Sequence, residues 1–199
     1  KKNDMGKMAK LGENVGATTR NLSGLLDNLL NWALQQTGKI PHHPQDLNLL
    51  ELANQTEELF SANADAKGVA LQTSIASDHH VFADRDGVQT ILRNLVGNAI
   101  KFTSSGESVS VSSQPSGEFL EITVTDDGVG MDKNQLENLF SLDKRSKKGT
   151  AGESGTGVGL ILCKELAELN GGSLRVENGK GVGTKVIFTL PLASKANVS

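Results

Sequence analysis

DRDGVQTILRNLVGNAIKFT, residues 84–103, has the spacing of one amphipathic helix. Val88, Ile91, Leu92, Leu95, Val96 and Ala99 recur at intervals that put them on one face, which must be buried. Asn94, Asn98 and Lys101 fall on a second stripe beside that face. Two carboxamides and one ammonium in a row suit a metal ion and the phosphates it bridges. They equally suit the polar edge of an ordinary helix, and the residues after Asp126 decide between the two.

Around this stretch the composition sets bounds. The chain has 199 residues and a formal net charge of -3, which allows one or two domains. With 4% aromatic residues, no Tyr and one Trp, its core has to be aliphatic. Mild acidity and the lack of a long basic run argue against nucleic acid as a partner. No run approaches the roughly 20 apolar residues of a membrane span, and no secretory signal opens the sequence, so no membrane contact is expected within this chain. The single Cys163 excludes an internal disulfide and fits a reducing compartment. The chain is therefore read as cytoplasmic, with room for membrane anchoring elsewhere in a parent protein. Cys163 sits among Leu160, Ile161 and Leu166, where a packed thiol is expected.

Upstream, residues 3–37 carry a heptad seam of Met8, Leu11, Val15, Thr18, Leu22, Leu25, Leu29 and Trp32. Leu26, Leu30 and Ala33 widen it toward the face of a helical bundle. Such a helix needs a partner, most simply a second copy of the chain. Gly38 ends it and Pro41 prevents its continuation, so residues 41–44, PHHP, read as a linker and exposed turn.

Between linker and helix, residues 45–48 can pair as a strand. Leu49–Lys67 reads as a helix with Asn48 as N-cap and Gly68 as stop, and 69–75 and 80–83 read as strands. Downstream, ESVSVSSQ and EFLEITVTD, joined by Pro115, Ser116 and Gly117, form a hairpin. Residues 133–140 read as a short helix, 141–157 as a long loop of the kind used for lids, and 158–170 as a helix. SLRVEN and TKVIFTL follow as strands, then a disordered tail over 193–199. The expected fold class is α/β (α+β): a two-layer sandwich of a mixed sheet and about three helices over residues 45–192, preceded by the heptad helix of residues 1–40.

Two glycine motifs carry chemistry. In DDGVGM, 126–131, Gly128 and Gly130 remove side chains where a strand becomes a loop, so a flat ligand can lie against backbone. Asp126 can accept a hydrogen bond from an exocyclic amine such as that of adenine, though DDGVG is also a common turn. In GESGTGVGL, 152–160, Gly155, Gly157 and Gly159 lead into a helix whose N-terminus favours an anion. No Gly-Lys-Ser/Thr follows, so this is not a Walker loop, and its context is not that of the dinucleotide fingerprint. Lys144, Arg145, Lys147 and Lys148 precede it, as a solvated charge run or as a source of a phosphate contact.

In this order NLVGNAIKFT, DDGVGM, LF followed by GTAGESGTGVGL, then NGGSLRVEN and GKGVGTKVIFTLP resemble the catalytic ATP-binding domain of sensor histidine kinases. That domain belongs to the gyrase, chaperone, histidine kinase and mismatch-repair ATPase superfamily. The helix ending LLDNLLNWALQQTGKI resembles the second helix of the same family's dimerisation and phosphotransfer domain. The resemblance implies ATP and Mg²⁺ as ligands. It implies that Asn98 ligates Mg²⁺ with Asn94 as its companion, that Lys101 meets phosphate, and that Asp126 reads adenine. Gly128 and Gly130 match the first glycine box, and Phe140 the root of the ATP lid. Gly155, Thr156, Gly157 and Gly159 match the second glycine box. Thr184 supports the adenine pocket, and Arg145, or equally Lys144, matches the phosphate-sensing base of the lid. Val158 and Asp127 stand where the family often has Leu and Asn.

One departure bears on activity. The family's phosphoacceptor histidine lies in a box on the first dimerisation helix, and no histidine precedes His42 here. The expectation is a protein-histidine kinase core that cannot autophosphorylate without an added H-box helix. Its implied partners are a second copy, bound through the N-terminal helix, and a response-regulator receiver domain. The superfamily's hydrolases place a Glu one turn before the metal Asn. Asn94 stands there, and a carboxamide cannot take a proton from water. The alternatives are a nucleotide-binding, dimerising module without catalysis and, more weakly, a serine kinase of the anti-sigma type.

Overall fold

The computed structural model describes residues 42–141, 148–153, 157–178 and 183–193. The heptad helix, Arg145 and Lys144, Gly155, Thr156 and the tail from 194 lie outside the described residues.

Strand β1 (Pro44–Asn48) runs straight into helix α1 (Leu49–Lys67). The Asn48 side chain accepts the Glu51 N–H at 3.1 Å as an N-cap. At the other end Gly68 takes φ 71°, and the Val69 N–H closes back on the Ala64 carbonyl at 2.9 Å, a left-handed glycine stop. Strands β2 (Ala70–Ser74) and β3 (His80–Asp84) follow, then helix α2 (Arg85–Phe102). All six apolar positions expected to face inward on α2 are buried, together with Ile100. The Asp84 side chain caps it through the Gly87 N–H at 2.8 Å.

Strands β4 (Ser108–Ser116) and β5 (Phe119–Asp126) form the expected hairpin with a tighter turn. Pro115 and Ser116 pair with Leu120 and Phe119, which leaves only Gly117, at φ 63°, and Glu118 in the turn. Proline is tolerated in β4 because its other neighbour, β2, pairs only as far as Ser112. Helix α3 (Lys133–Glu137) starts at an Asp132–Gln135 capping box and is shorter than the expected 133–140. The Asn138 side chain takes the Asn134 carbonyl at 2.8 Å, so a carboxamide replaces the next turn's backbone bond. Helix α4 (Gly159–Leu169), β6 (Ser173–Asn178) and β7 (Thr184–Pro191) complete the domain.

The five-stranded sheet has the order β2-β4-β5-β7-β6. Only β2 and β4 are parallel. Their connection passes through β3 and α2, so α2 is the crossover helix laid on the sheet. Strands β1 and β3 form a separate two-stranded ribbon, a division the sequence pattern did not indicate. Leu52, Leu92, Leu95 and Leu162 of the helices meet Leu120, Ile122, Phe188 and Leu190 of the sheet in one aliphatic core. Cys163 is buried in it, and burial pushes its thiol far above the ordinary range, as expected of a packing residue. Among the described residues no helix is long and apolar enough to cross a membrane.

Two joints aim α2. Buried Asn170, just after α4, accepts the Asp84 N–H at 2.6 Å through Oδ1 and donates to the Leu166 carbonyl at 2.8 Å. The same Oδ1 lies 3.3 Å from His42 Nε2, so His42 is half-buried against the domain rather than part of an exposed turn. At Gly172, between α4 and β6, an added Cβ would stand 1.8 Å from the Thr189 carbonyl oxygen. Gly172→Ala is therefore expected to destabilise the fold by about 3 kcal/mol, the upper range for overpacking a site walled by backbone. A thermal melt reads this directly, and an unchanged midpoint would refute it.

Candidate functional site

The end of β5, the C-terminal turn of α2 and the start of β7 meet at one place. Asp126, the last residue of β5, is buried and pairs in register with Thr184. Its Oδ1 accepts the Gly128 N–H at 3.0 Å and the Thr184 N–H at 3.3 Å. Burial raises this carboxyl above its ordinary value, against the two backbone donors and the Thr184 hydroxyl, which favour the ionised form. Both backbone donors converge on Oδ1, so neither claims Oδ2.

Glycine is required here for close approach. A Cβ on Gly128 would lie 2.2 Å from the Phe102 carbonyl oxygen, and one on Gly183 would lie 2.1 Å from the Asp126 carbonyl oxygen. The Val129 N–H donates to the Phe102 carbonyl at 3.2 Å, tying the glycine turn to the end of α2. Val129 itself is 56% exposed, an apolar side chain offered at the mouth of the site. Gly130 adopts φ 65°, a conformation that reverses the chain there.

Along α2 the polar stripe is present. The Asn94 side chain donates to the Thr90 carbonyl at 2.9 Å, and its Oδ1 is so near α4 that a Cβ on Gly159 would be 2.8 Å away. Asn98 is half-buried, and its carboxamide has no hydrogen-bond partner among the described residues. The Lys101 ammonium lies over the Phe102 ring at 4.8 Å. Burial lowers its pKa, opposed by the Glu153 carboxylate, with Lys67 adding to the lowering. Phe140 packs on the edge of the core with the Lys164 ammonium 5.1 Å from its ring. Gly157 has φ 77° just before α4, which Gly159 begins.

Residues 149–153 come back onto the end of α2. The Thr150 N–H and hydroxyl donate to the Lys101 carbonyl at 3.0 and 3.2 Å, and the hydroxyl also reaches the Thr103 carbonyl at 2.8 Å. Glu153 pairs with Lys67 of α1 at 2.7 Å. Sequence reasoning missed Lys67, Thr150, Glu153 and the close approach of Gly183. No periodicity marks them, because each is defined by a partner far away along the chain.

The structure thus brings Asp126, Gly128, Gly130 and Thr184 to one end of α2 and lines Asn94, Asn98 and Lys101 along it, with Gly159 against Asn94. The arrangement has a buried acceptor at the end of α2 and a carboxamide and an ammonium along the helix. Among the described residues no three His, Cys, Asp or Glu side chains converge to hold a metal ion. A cation here would be of the hard, oxygen-seeking kind that keeps water and binds through few protein ligands and a substrate's phosphates.

Comparison with known proteins agrees with this architecture. The model of the family described as histidine kinase-, DNA gyrase B- and HSP90-like ATPases matches residues 83–194. An uncharacterised sensor-like histidine kinase of Rhizobium meliloti is 33% identical over 172 residues, covering 85% of this chain and 33% of that protein. This chain therefore spans about a third of that relative's length. The catalytic domain of the histidine kinase ThkA, solved in a nucleotide-free form, superposes with a TM-score of 0.67 at 28% identity, covering 75% of this chain and 95% of that one. A structure of ThkA in complex with the response regulator protein TrrA shares the fold at a TM-score of 0.71 and 20% identity, covering 94% of this chain and 52% of that one. The chain belongs to the histidine kinase-, DNA gyrase B- and HSP90-like ATPase family, and its described part is the ATP-binding domain of a sensor histidine kinase.

Proposed function

We propose that this chain is the catalytic core of a two-component sensor kinase. It binds Mg-ATP in the groove beside α2 and passes the γ-phosphoryl to a histidine on a dimerisation helix supplied by another segment. Asp126 carries the reading. A carboxylate buried at the end of a central strand, with one oxygen held by backbone and walled by glycine, suits the exocyclic amine of adenine.

The rest of the groove fits a triphosphate. The Asn98 carboxamide is the natural ligand for Mg²⁺, since it is half-buried on the stripe and engaged by no other described residue. Bound there, Mg²⁺ would neutralise charge on the phosphate oxygens. Lys101 would meet phosphate from the next turn, with Arg145 or Lys144 as a base supplied by the loop. Gly155, Thr156, Gly157 and Gly159 would offer backbone N–H groups to the same anion, and Phe140 would seat the root of the loop. Thr184 and Gly130 would complete the adenine wall. In the transfer the imidazole nitrogen forms a bond to phosphorus as the bond to the β–γ bridging oxygen breaks. ADP leaves, and the imidazole proton passes to solvent. Asn94, where hydrolytic relatives place a carboxylate, cannot take a proton from water, so the chain's contribution is positioning and charge.

The heptad pattern in the sequence of residues 3–37 supports a homodimer, and a related kinase fold has been captured with a response regulator, which supports a receiver domain as the next acceptor. The test is phosphorylation in trans. The chain, Mg-ATP and a separate H-box helix domain should yield acid-labile, base-stable phosphohistidine. Measured ATP binding without phosphohistidine in that assay would count against the kinase reading.

A further inference from the structure

We infer that Lys67 and Glu153 are positioning residues of the nucleotide groove: as one ion pair they fasten residues 149–153 of the glycine-rich loop to the last turn of α2, so that loop and Lys101 are held in a single arrangement. The inference rests on the reading of this groove as an ATP site.

Lys67 ends α1, and its side chain is only 14% exposed. Its ammonium has three protons and three acceptors: the Ile100 carbonyl at 2.8 Å, the Lys101 carbonyl at 2.8 Å and Glu153 Oε1 at 2.7 Å. The two carbonyls belong to the C-terminal turn of α2, where helical carbonyls lack intrahelical partners and attract a cation. A half-buried lysine with every donor occupied is not a solvated surface charge.

On the loop side the partner is equally committed. The other oxygen of Glu153 accepts the Ala151 N–H at 2.9 Å. The Glu153 carbonyl accepts the Gly149 N–H at 2.8 Å, and the Gly152 N–H returns to the Gly149 carbonyl at 2.9 Å. Residues 149–153 are thus a closed knot. A Cβ on Gly149 would stand 2.6 Å from Lys101 Cγ, so the knot sits directly on that side chain. Thr150 adds its own bonds to the Lys101 carbonyl.

The residue whose side chain is proposed to meet phosphate therefore supplies, through its backbone, the anchor of the loop. Glu153 lies near enough to Lys101 to oppose the lowering of its pKa by burial, yet its carboxylate is taken by Lys67 and Ala151. Lys101 consequently makes no ion pair among the described residues and stays available to an anion.

The test uses the full chain and calorimetric titration with Mg-ATP, alongside thermal melts and hydrogen exchange over residues 148–153. Lys67→Met and Glu153→Ala should each weaken Mg-ATP binding about tenfold, the scale of a coupled contact pair. Lys67→Met/Glu153→Ala should lose no more than the weaker single variant, because the two residues act as one device. Exchange over 148–153 should rise in all three. Glu153 lies on a loop, so its variant keeps the test decisive if Lys67→Met fails to fold. Wild-type affinity in Glu153→Ala, or losses that multiply in the double variant, would overturn the proposal. Failure of the wild-type chain to bind Mg-ATP would instead remove the ATP reading itself, and the anchor's role with it.

Discussion

Asn98→Ala is expected to abolish the Mg²⁺ dependence of ATP binding and to leave the fold intact. The side chain sits half-buried on the polar stripe of α2, outside the core cluster. It holds no partner among the described residues, so its removal strands no donor or acceptor, and alanine is the better helix former. Stability should change by less than about 0.5 kcal/mol. Binding should respond very differently. Replacing an outer-sphere group at a metal site costs about 10–100-fold in affinity, and loss of a direct ligand should reach at least the upper end of that range. Titration with ATP, in Mg²⁺ and in excess chelator, separates the two effects. The variant should give one weak affinity in both buffers. A preserved difference between the buffers would remove Asn98 from the metal site, and a collapsed melting transition would make it a structural residue.

For Asp126→Asn the expected outcomes run in opposite directions for ligand and fold. Asparagine keeps an oxygen for the Gly128 and Thr184 N–H groups but presents an amide donor where the carboxylate offered Oδ2. An adenine amine would then meet a donor, and ATP affinity should fall by about 1–3 kcal/mol, the scale of a charged hydrogen bond. Unchanged affinity in a calorimetric titration would end Asp126's role in reading the base. Stability follows from the raised carboxyl pKa, whose leading cause is burial. With the folded value above the unfolded one, the native state favours the protonated acid. The contribution to stability is complete below the unfolded pKa and is lost as pH rises through the folded one. At pH 7 the ionised carboxylate therefore costs stability that asparagine avoids. The variant should melt no lower than the wild type near neutrality, with its advantage shrinking as pH falls toward about 4, the ordinary aspartate range. A variant that melts lower at neutral pH would mean that the carboxylate's charge holds the strand ends together.

Asp126 also shows why the site residues do not behave as core residues do. Ile122 and Val124, on the same face of β5, are buried among aliphatic neighbours, and their burial stabilises the domain. Asp126 continues that alternation at the strand end with a carboxylate whose ionised form burial disfavours. On the opposite face, buried Glu121 is held well below the usual carboxylate range by its hydrogen bond from Arg175 at 2.8 Å, helped by Gln114. Two acidic side chains of one strand thus shift in opposite directions, because one has a cation across the sheet and the other is buried with only neutral donors, two backbone amides and the Thr184 hydroxyl. That contrast is why Asp126, and not Glu121, suits a ligand's donor.

The sequence by itself determined the elements whose causes are local. The apolar spacing of α2, the cap at Asn48 and the glycine stop at Gly68 are each settled within one or two turns of chain. The glycine box after Asp126 was legible for the same reason, since residue types and spacing carry its meaning. Tertiary structure decided what depends on distant partners. Lys67 reads as the charged end of a helix until Glu153, 86 residues later, and the carbonyls of α2 are brought to it. Asn170 reads as the last residue of a helix until its side chain accepts the Asp84 N–H. The two-stranded ribbon and the burial of Glu121 belong to the same class. Periodicity reports which side of an element seeks the core, because burial of apolar area is additive and without direction. Ion pairs and hydrogen bonds need two groups at a set distance, and only the folded chain supplies that distance.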